Sequence, residues 1–448
     1  MPRNARYNPL ALVASAMALP ALWLPTFVAR PSRVLPIGEL VGLWQAPLAP
    51  AGWALAVLWA LIAVAALLPT ARGRAPLLGL LTAVLTGLLT AGVGWGSLRL
   101  QGDDPMIRIG LAGGGWLMLA SCGLVWLAVR AEAGRWLWLP ALAGLLAWVS
   151  VPYGGLGMVA EYRISPESYH DALLQHLRLV AAALPLTLAL GLPLGIAAYR
   201  WQAAEAPVLA VAGFLQTLPS VALYGLLLPL LSLQGKTWTL SGLGAACVLI
   251  PLAVWLLYRF GPVGRWLAVA LAVSGTLALL PLLGVALHNL LEYARPWQDT
   301  LHWHQPLAEH GLRGLGVAPA VTVLTLYGLL PVVVQTHLGL RAVPAAAREA
   351  ARGMGMRPME VFRLVELPLA LPYLVEGLRG SLLLLVGLAS LAVLVNGGGL
   401  GYYLMRGVEQ AVLDMVLLGA VSVAALALAV DALLRGLVQW LTPEGVRP

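Results

Sequence analysis

The chain has 448 residues, of which 60% are hydrophobic and 10% charged, and its formal net charge is +8. Ordinary soluble domains carry roughly a quarter charged residues, so a soluble fold is excluded and lipid is the solvent for most of this chain. The positive balance does not point to nucleic acid, because the arginines lie in short loops between apolar runs, and the two cysteines, Cys122 and Cys247, sit inside such runs, which excludes a disulfide framework or a cysteine metal site.

A spanning helix needs roughly 20 predominantly apolar residues. In chain order, twelve stretches qualify: 9–29, 51–69, 76–97, 109–130, 135–152, 177–199, 207–232, 240–259, 264–286, 317–338, 371–396 and 411–434. The expected fold class is therefore an all-α polytopic membrane protein of about 12 transmembrane helices. Arg3 and Arg6 precede the first stretch as they would in a signal peptide. Its apolar run exceeds the roughly 7–15 residues of such a signal, so an uncleaved anchor is expected. With the N-terminus inside, Arg72, Arg74, Arg130, Arg135, Arg200, Arg259, Arg265 and the arginines from Arg341 to Arg363 fall in inner loops. Cytoplasmic loops collect such residues, so both termini are placed in the cytoplasm. The tryptophans gather near span ends, as interfacial belts do.

One stretch breaks the apolar pattern. EAARGMGMRPMEVFRLVELP, residues 349–368, holds arginines, glutamates and prolines between two runs of spanning length. Pro344 suits a first helical position, Ala345 to Met354 favour a helix, and Gly355 suits the left-handed residue that ends one. Pro358 opens a second short helix, and Pro368 is expected to close it. Read locally, the segment is a two-helix element on the membrane surface with one side free to dock; a solvated amphipathic loop has the same composition.

The spacing resembles the EAA signature of ABC-importer permease subunits, EAA-x3-G-x9-I-x-LP. Glu349, Ala350, Ala351, Gly355, Leu367 and Pro368 match it, and Val365 stands conservatively at the isoleucine position. The resemblance implies that 341–368 is a cytoplasmic coupling loop docking on a separate ATP-binding subunit. Further motifs agree in order: Gly191 to Ile196, Gln216 to Ser220, Gly314 to Ala320, Glu366 to Pro372 and Asn396 to Gly401. Together they resemble osmoprotectant importer permeases for glycine betaine, choline or carnitine, of the larger type with an extended N-terminus. This implies a type I (MetI-like) core of five helices over 170–440, interrupted by an insertion at 233–312 with two extra spans. Residues 1–152 then form an accessory region of about five spans. The implied partners are a cytoplasmic ATP-binding subunit dimer, an extracytoplasmic substrate-binding protein, and a second permease copy or a related permease. The implied site is the bacterial cytoplasmic membrane, with no cofactor, no metal and no catalytic residue of its own.

For the substrate path the candidates are Gln216, Thr217, Pro219 and Ser220, which pair a helix breaker with small polar groups, and Asn396 and Gly399 in a glycine-rich turn. Packing through small residues and a plain flexible loop account for the same residues. Tyr402 and Tyr403 offer ring faces to a quaternary ammonium group or anchor the interface. Among charges within spans, Glu376 with Arg379 and Asp431 with Arg435 have the spacing of local ion pairs, whereas Asp414 shows no local partner.

Other signals are weaker. Gly235-Lys236-Thr237 ends like a phosphate-binding loop, but Leu230 stands where the earlier glycine is required. His302, His304 and His310 cluster without ligand-like carboxylates beyond Glu309. The alternatives are an importer permease for another small solute such as an amino acid, a secondary transporter of twelve spans, and a membrane enzyme acting on lipid-linked substrates. The absence of two similar halves argues against the second, and the scarcity of intramembrane carboxylates and histidines against the third.

Overall fold

In a computed structural model, the residues described are 7–33, 38–45, 48–68, 74–133, 136–237, 239–259, 275, 306 and 315–441. The expected span 264–286, apart from residue 275, and the three histidines lie outside them. By its contacts the chain forms two units: Met1–Pro166 with Arg406–Leu418, and Glu167–Met405 with Gly419–Pro448.

The first unit opens with α1 (Pro9–Ala21), whose cap Asn8 accepts a hydrogen bond from the Ala11 amide at 3.1 Å. Ala11, Ala14, Ala18 and Ala21 form a fully buried stripe of small residues that lets α1 pack closely on α2 (Ala49–Leu67) and α4 (Gly113–Ala133). Trp59, Ile62, Leu78, Leu85, Met118 and Val125 fill the core between these helices and α3 (Arg74–Gln101). At one end Glu132 binds Asn8 at 2.8 Å and pairs with Arg74, which also donates to the Leu68 carbonyl at 2.7 Å. Arg74, expected in an open loop, is therefore buried.

The expected span 9–29 is corrected here. Its helix stops at Ala21, because Pro25 pushes its predecessor out of the α region, and Pro25–Arg30 continues as strand β1. Strands β2 (Glu39–Gly42) and β3 (Arg108–Leu111) flank β1 in an antiparallel sheet of order β2-β1-β3. The expected span 109–130 accordingly starts as strand and becomes helix only at Gly113. The stretch 135–152 holds α5 (Trp138–Ser150), 13 residues or roughly 20 Å, short of the roughly 30 Å a bilayer core needs. Then α6 (Gly157–Ile164) closes the unit's N-terminal portion.

The second unit is built on α7 (Pro166–Arg200), α8 (Gln202–Thr217), α9 (Ser220–Thr237), α10 (Leu240–Tyr258) and α11 (Val317–Ala342). Every residue of α11 from Ala318 to Leu329 is buried, as befits a helix apolar on all sides. Helix α12 (Ala345–Gly353) and α13 (Pro358–Val361) follow, then a π-helical turn at Phe362–Glu366 and α14 (Leu367–Leu388). A 3-10 turn at Ala389–Val395, α15 (Gly401–Glu409) and α16 (Leu413–Leu441) complete the chain. The core lies where α7, α9, α11 and α14 meet, around Leu179, Tyr224, Leu324 and Leu385.

Among the described residues seven helical stretches are long and apolar enough to cross a membrane, or eight if α8 and α9 form one broken span. The expectation of twelve came from apolar run length alone. It fails at 9–29 and 135–152, the stretch 240–259 is not among the seven or eight, and 264–286 lies, apart from residue 275, outside the described residues. The polytopic helical class itself holds, with the small sheet as an addition to it.

Candidate coupling site and substrate path

The charged segment forms a compact element at the end of α11. Val343 is buried, Pro344 turns the chain, and α12 runs to Gly353. Gly355 sits at φ +82°, where a side chain is strained, and its amide donates to the Arg352 carbonyl at 2.9 Å. The Met354 amide reaches the Ala350 carbonyl at 3.0 Å, and the Met356 amide reaches Ala351 at 3.2 Å, so the last carbonyls of α12 are satisfied. Glu360 accepts from the Arg357 amide at 2.7 Å and fixes the start of α13 at Pro358.

Of the signature residues, Ala351 is buried while Glu349, Ala350 and Gly355 are exposed. Val365 and Leu367 are half-buried and Pro368 is exposed at the start of α14. The expectation that Pro368 ends the helix is corrected: helix continues through it into α14. A proline lacks the amide needed to extend an α-ladder, and the π turn just before it, with its wider hydrogen-bond register, absorbs that loss.

Sequence reasoning missed what holds the element down. Glu366 is only 8% exposed. Its carboxylate accepts from the Tyr199 hydroxyl at 3.1 Å and pairs with Arg348 at 3.2 Å. Arg348 donates in turn to the Leu340 carbonyl at 2.9 Å, near the end of α11, and its guanidinium lies over the Tyr199 ring at 5.8 Å. Arg200 covers Phe362 at 5.9 Å. These contacts tie α12 and the π turn to α7 and α11. Glu349, Arg352, Met354, Met359, Arg363 and Leu364 remain exposed on the other side.

On the path side, the Gln216-to-Ser220 motif is the break between α8 and α9, whose axes differ by 102°. Gln216 donates to the Tyr327 carbonyl on α11 at 3.0 Å, and the Tyr327 hydroxyl donates back to the Leu218 carbonyl. Thr217 turns onto the Phe214 carbonyl at 2.8 Å, and Pro219 and Ser220 begin α9. The break is thus clamped by one tyrosine. Asn396 adopts a left-handed conformation at φ +61°, exposed, while Gly399 is buried at φ +87° beside His176. Gln175 donates to the Gly397 carbonyl at 3.2 Å. The Gly316 amide donates to the Val395 carbonyl, and α9 touches the 389–395 turn, so both candidate path regions border α11.

Tyr403 is buried edge-on against Tyr169 at 5.7 Å, whereas Tyr402 is exposed. The two expected local ion pairs are one network: Arg379 binds Glu376 at 2.8 Å and Asp431 at 2.6 Å, and Asp431 also holds Arg435. Gly235 to Thr237 forms the last turn of α9 rather than a loop ahead of a helix.

A chain of repeated spanning helices, with an anchored surface lever and a broken helix beside its central span, has the parts of a membrane permease. It belongs to the family of binding-protein-dependent transport system inner membrane components, which matches residues 189–443. Residues 5–160 match the N-terminal domain of the ABC transporter permease YehY. The osmoprotectant import permease protein OsmW of Salmonella typhimurium is 31% identical over 273 residues, covering 61% of this chain and 91% of that protein. The glycine betaine/carnitine/choline transport system permease protein OpuCB of Bacillus subtilis is 33% identical over 199 residues, 43% of this chain and 91% of its own length. Among solved structures, an inward-facing MetNI methionine ABC transporter has 17% identity and a TM-score of 0.41, covering 62% of this chain and 97% of that one. The chain is thus an integral inner-membrane permease subunit of an ABC importer, a family that works with an ATP-binding subunit and a substrate-binding protein. The secondary-transporter and lipid-enzyme alternatives give way to this family.

Proposed function

We propose that this permease imports a quaternary-ammonium osmoprotectant, glycine betaine, choline or carnitine, and that residues 341–368 are its cytoplasmic coupling loop. The observation that carries the coupling assignment is the two-sidedness of that loop. Arg348, Glu366 and Tyr199 fix one side to the helices. The other presents exposed Met354, Met359 and Leu364 among Glu349, Arg352 and Arg363. Such a mixed surface suits docking on a separate protein, with the charges setting register.

Both termini and the loop face the cytoplasm in this reading, supported by the arginine distribution. The division into an accessory region 1–152 and a core over 170–440 with an insertion at 233–312 belongs to the same reading. Two permease chains, identical or related, enclose the path between them, with Gln216, Thr217, Pro219, Ser220, Asn396 and Gly399 beside it. Closure of the ATP-binding dimer moves the loops on its surface, and the movement passes along α14 to open the path outward. Hydrolysis resets it. The cargo assignment rests on what the relatives are named for.

The test is to purify the tagged chain from its native membrane with its partners. The co-purified binding protein is then titrated with glycine betaine, choline, carnitine and a panel of amino acids. Tighter binding of an amino acid than of any quaternary ammonium compound would overturn the cargo. Glu349→Lys, which reverses a charge on the exposed side, is expected to lose the ATP-binding subunit and ATP-driven uptake while inserting normally. Retained uptake would refute the coupling assignment.

A further inference from the structure

Asp414 has no partner near it in sequence, yet it is only 1% exposed. It forms an ion pair with Arg30, which is equally buried, 384 positions away. Arg30 ends strand β1 directly opposite Arg108 on β3. Like charges at directly opposed strand positions repel, and the Asp414 carboxylate, which Arg108 also attracts, offsets that repulsion. Space for the pair is built into the backbone. A Cβ on Gly157, the first residue of α6, would fall 2.2 Å from the Asp414 carboxylate, and one on Gly110 would fall 3.0 Å from the Arg30 guanidinium. Glu161 on α6 does not compete for Arg30, because Arg33 holds it with bonds of 2.8 and 2.9 Å. Residues of β1, β3 and α6 therefore enclose one carboxylate. All three elements lie within the stretch that matches the YehY N-terminal domain, and Asp414 lies within the stretch that matches the permease family.

The same helix is held again further along. Asp431 lies 17 positions further along α16, roughly 25 Å at 1.5 Å per residue. There it binds Arg379 of α14 at 2.6 Å, and α14 continues directly from the π turn of the coupling segment. Helix α16 thus carries two ionic ties, Asp414 to Arg30 and Asp431 to Arg379.

We propose that Arg30 and Asp414 are positioning residues that make the start of α16 a fixed pivot on the N-terminal domain, and that stimulation of ATP hydrolysis by the binding protein depends on that fixed start. The joint stays closed through the cycle. Opening it would strand a guanidinium and a carboxylate in a site where Arg30 Nε and Asp414 Oδ2 already lack hydrogen-bond partners. This inference rests on the permease assignment but not on the cargo.

The experiment uses the complete complex, with its ATP-binding subunit and co-purified binding protein, in lipid nanodiscs. The measured quantity is the stimulation of ATP hydrolysis by the binding protein as purified, relative to basal hydrolysis. Which solute that protein carries does not enter. For Asp414→Asn, basal hydrolysis per assembled complex is expected to persist while stimulation falls at least fivefold. A merely structural role would lower the yield of complex and leave the ratio unchanged, and an unchanged ratio overturns the proposal. Where Asp414→Asn does not assemble, Arg30→Cys/Asp414→Cys bridged by a short bis-maleimide replaces the ionic tie with a covalent one. The bridged form is expected to regain stimulation to within threefold of wild type, and the unbridged form to lack it. Equal stimulation in the two forms, or loss on bridging, overturns the fixed pivot.

Discussion

Replacing Glu366 with alanine tests whether the coupling loop is held by the contacts described. The substitution removes the acceptor of the Tyr199 hydroxyl at 3.1 Å and the partner of Arg348 at 3.2 Å. A hydrogen bond to a charged group contributes about 1.5–3 kcal/mol. The Arg348 side chain is 22% exposed and keeps its bond to the Leu340 carbonyl, so water recovers part of its loss and its share is set at the low end. With the Tyr199 bond at about 1.5 kcal/mol and the part-exposed Arg348 ion pair at about 0.5 kcal/mol, the sum is about 2 kcal/mol of local stability, which at roughly 1.4 kcal/mol per decade is about a 30-fold shift toward the released loop. Hydrogen exchange reads this directly: amide protection over 345–366 is expected to fall about 30-fold, with little change in the buried α11. Tyr199→Phe, which deletes the hydroxyl but keeps the ring under Arg348, is expected to cost about 1.5 kcal/mol, or roughly tenfold. Arg348→Ala in the Glu366→Ala background should cost less than Arg348→Ala alone, because the two residues share one contact. Protection unchanged within threefold in Glu366→Ala would refute the anchoring, and with it the idea that movement at the loop reaches the helices through these residues.

Other substitutions probe separate parts. Gly355→Ala places a Cβ at φ +82°, a strain of about 1–2 kcal/mol, and is expected to lower uptake per inserted molecule and protection in α12; neutral behaviour would show that the turn relaxes freely. Tyr327→Phe leaves the Leu218 carbonyl without its donor at the break between α8 and α9, costing about 1–3 kcal/mol and seen as a lower Tm in detergent. Arg379→Leu leaves Asp431 paired with Arg435 and is expected to cost only about 1 kcal/mol, whereas Asp431→Leu leaves Arg435 without its acid and Arg379 with Glu376 alone, and should cost clearly more. The reverse order, read by thermal unfolding of the two variants, would show that the network is not shared.

What was legible beforehand depended on how local its cause was. Pro344, Gly355 and Pro358 specify the turns around α12 and α13 through their own backbone restrictions, so those boundaries could be read residue by residue. At Pro219 the helix breaker was noted, but the apolar run 207–232 was read as one span, whereas the chain breaks there into α8 and α9. Apolar run length carried the long spans but could not tell helix from strand at Pro25–Arg30, where β-branched and aromatic residues sit in a run that lipid would also accept. The π turn at Phe362–Glu366 left no mark of its own, because its residues favour an ordinary helix and only the tertiary setting of Pro368 selects the wider register.

The charges show the opposite limit. Sequence spacing offered Asp414 no local partner and assigned none to Glu366, one of the charged residues of the 349–368 stretch. Their partners, Tyr199 and Arg30, are 167 and 384 positions away, and only the packing of distant elements brings them close. In a membrane chain this carries an inference of its own. An ionisable side chain in a span that lacks a local partner cannot stay unpaired in lipid, so it demands one from elsewhere in the chain. Asp431 and Arg435 satisfied each other locally and still recruited Arg379 across helices. Asp414 had no such option, and the residue that meets its demand comes from the N-terminal domain. Without Arg30, the first turn of α16 would hold a buried carboxylate left with only the attraction of Arg108.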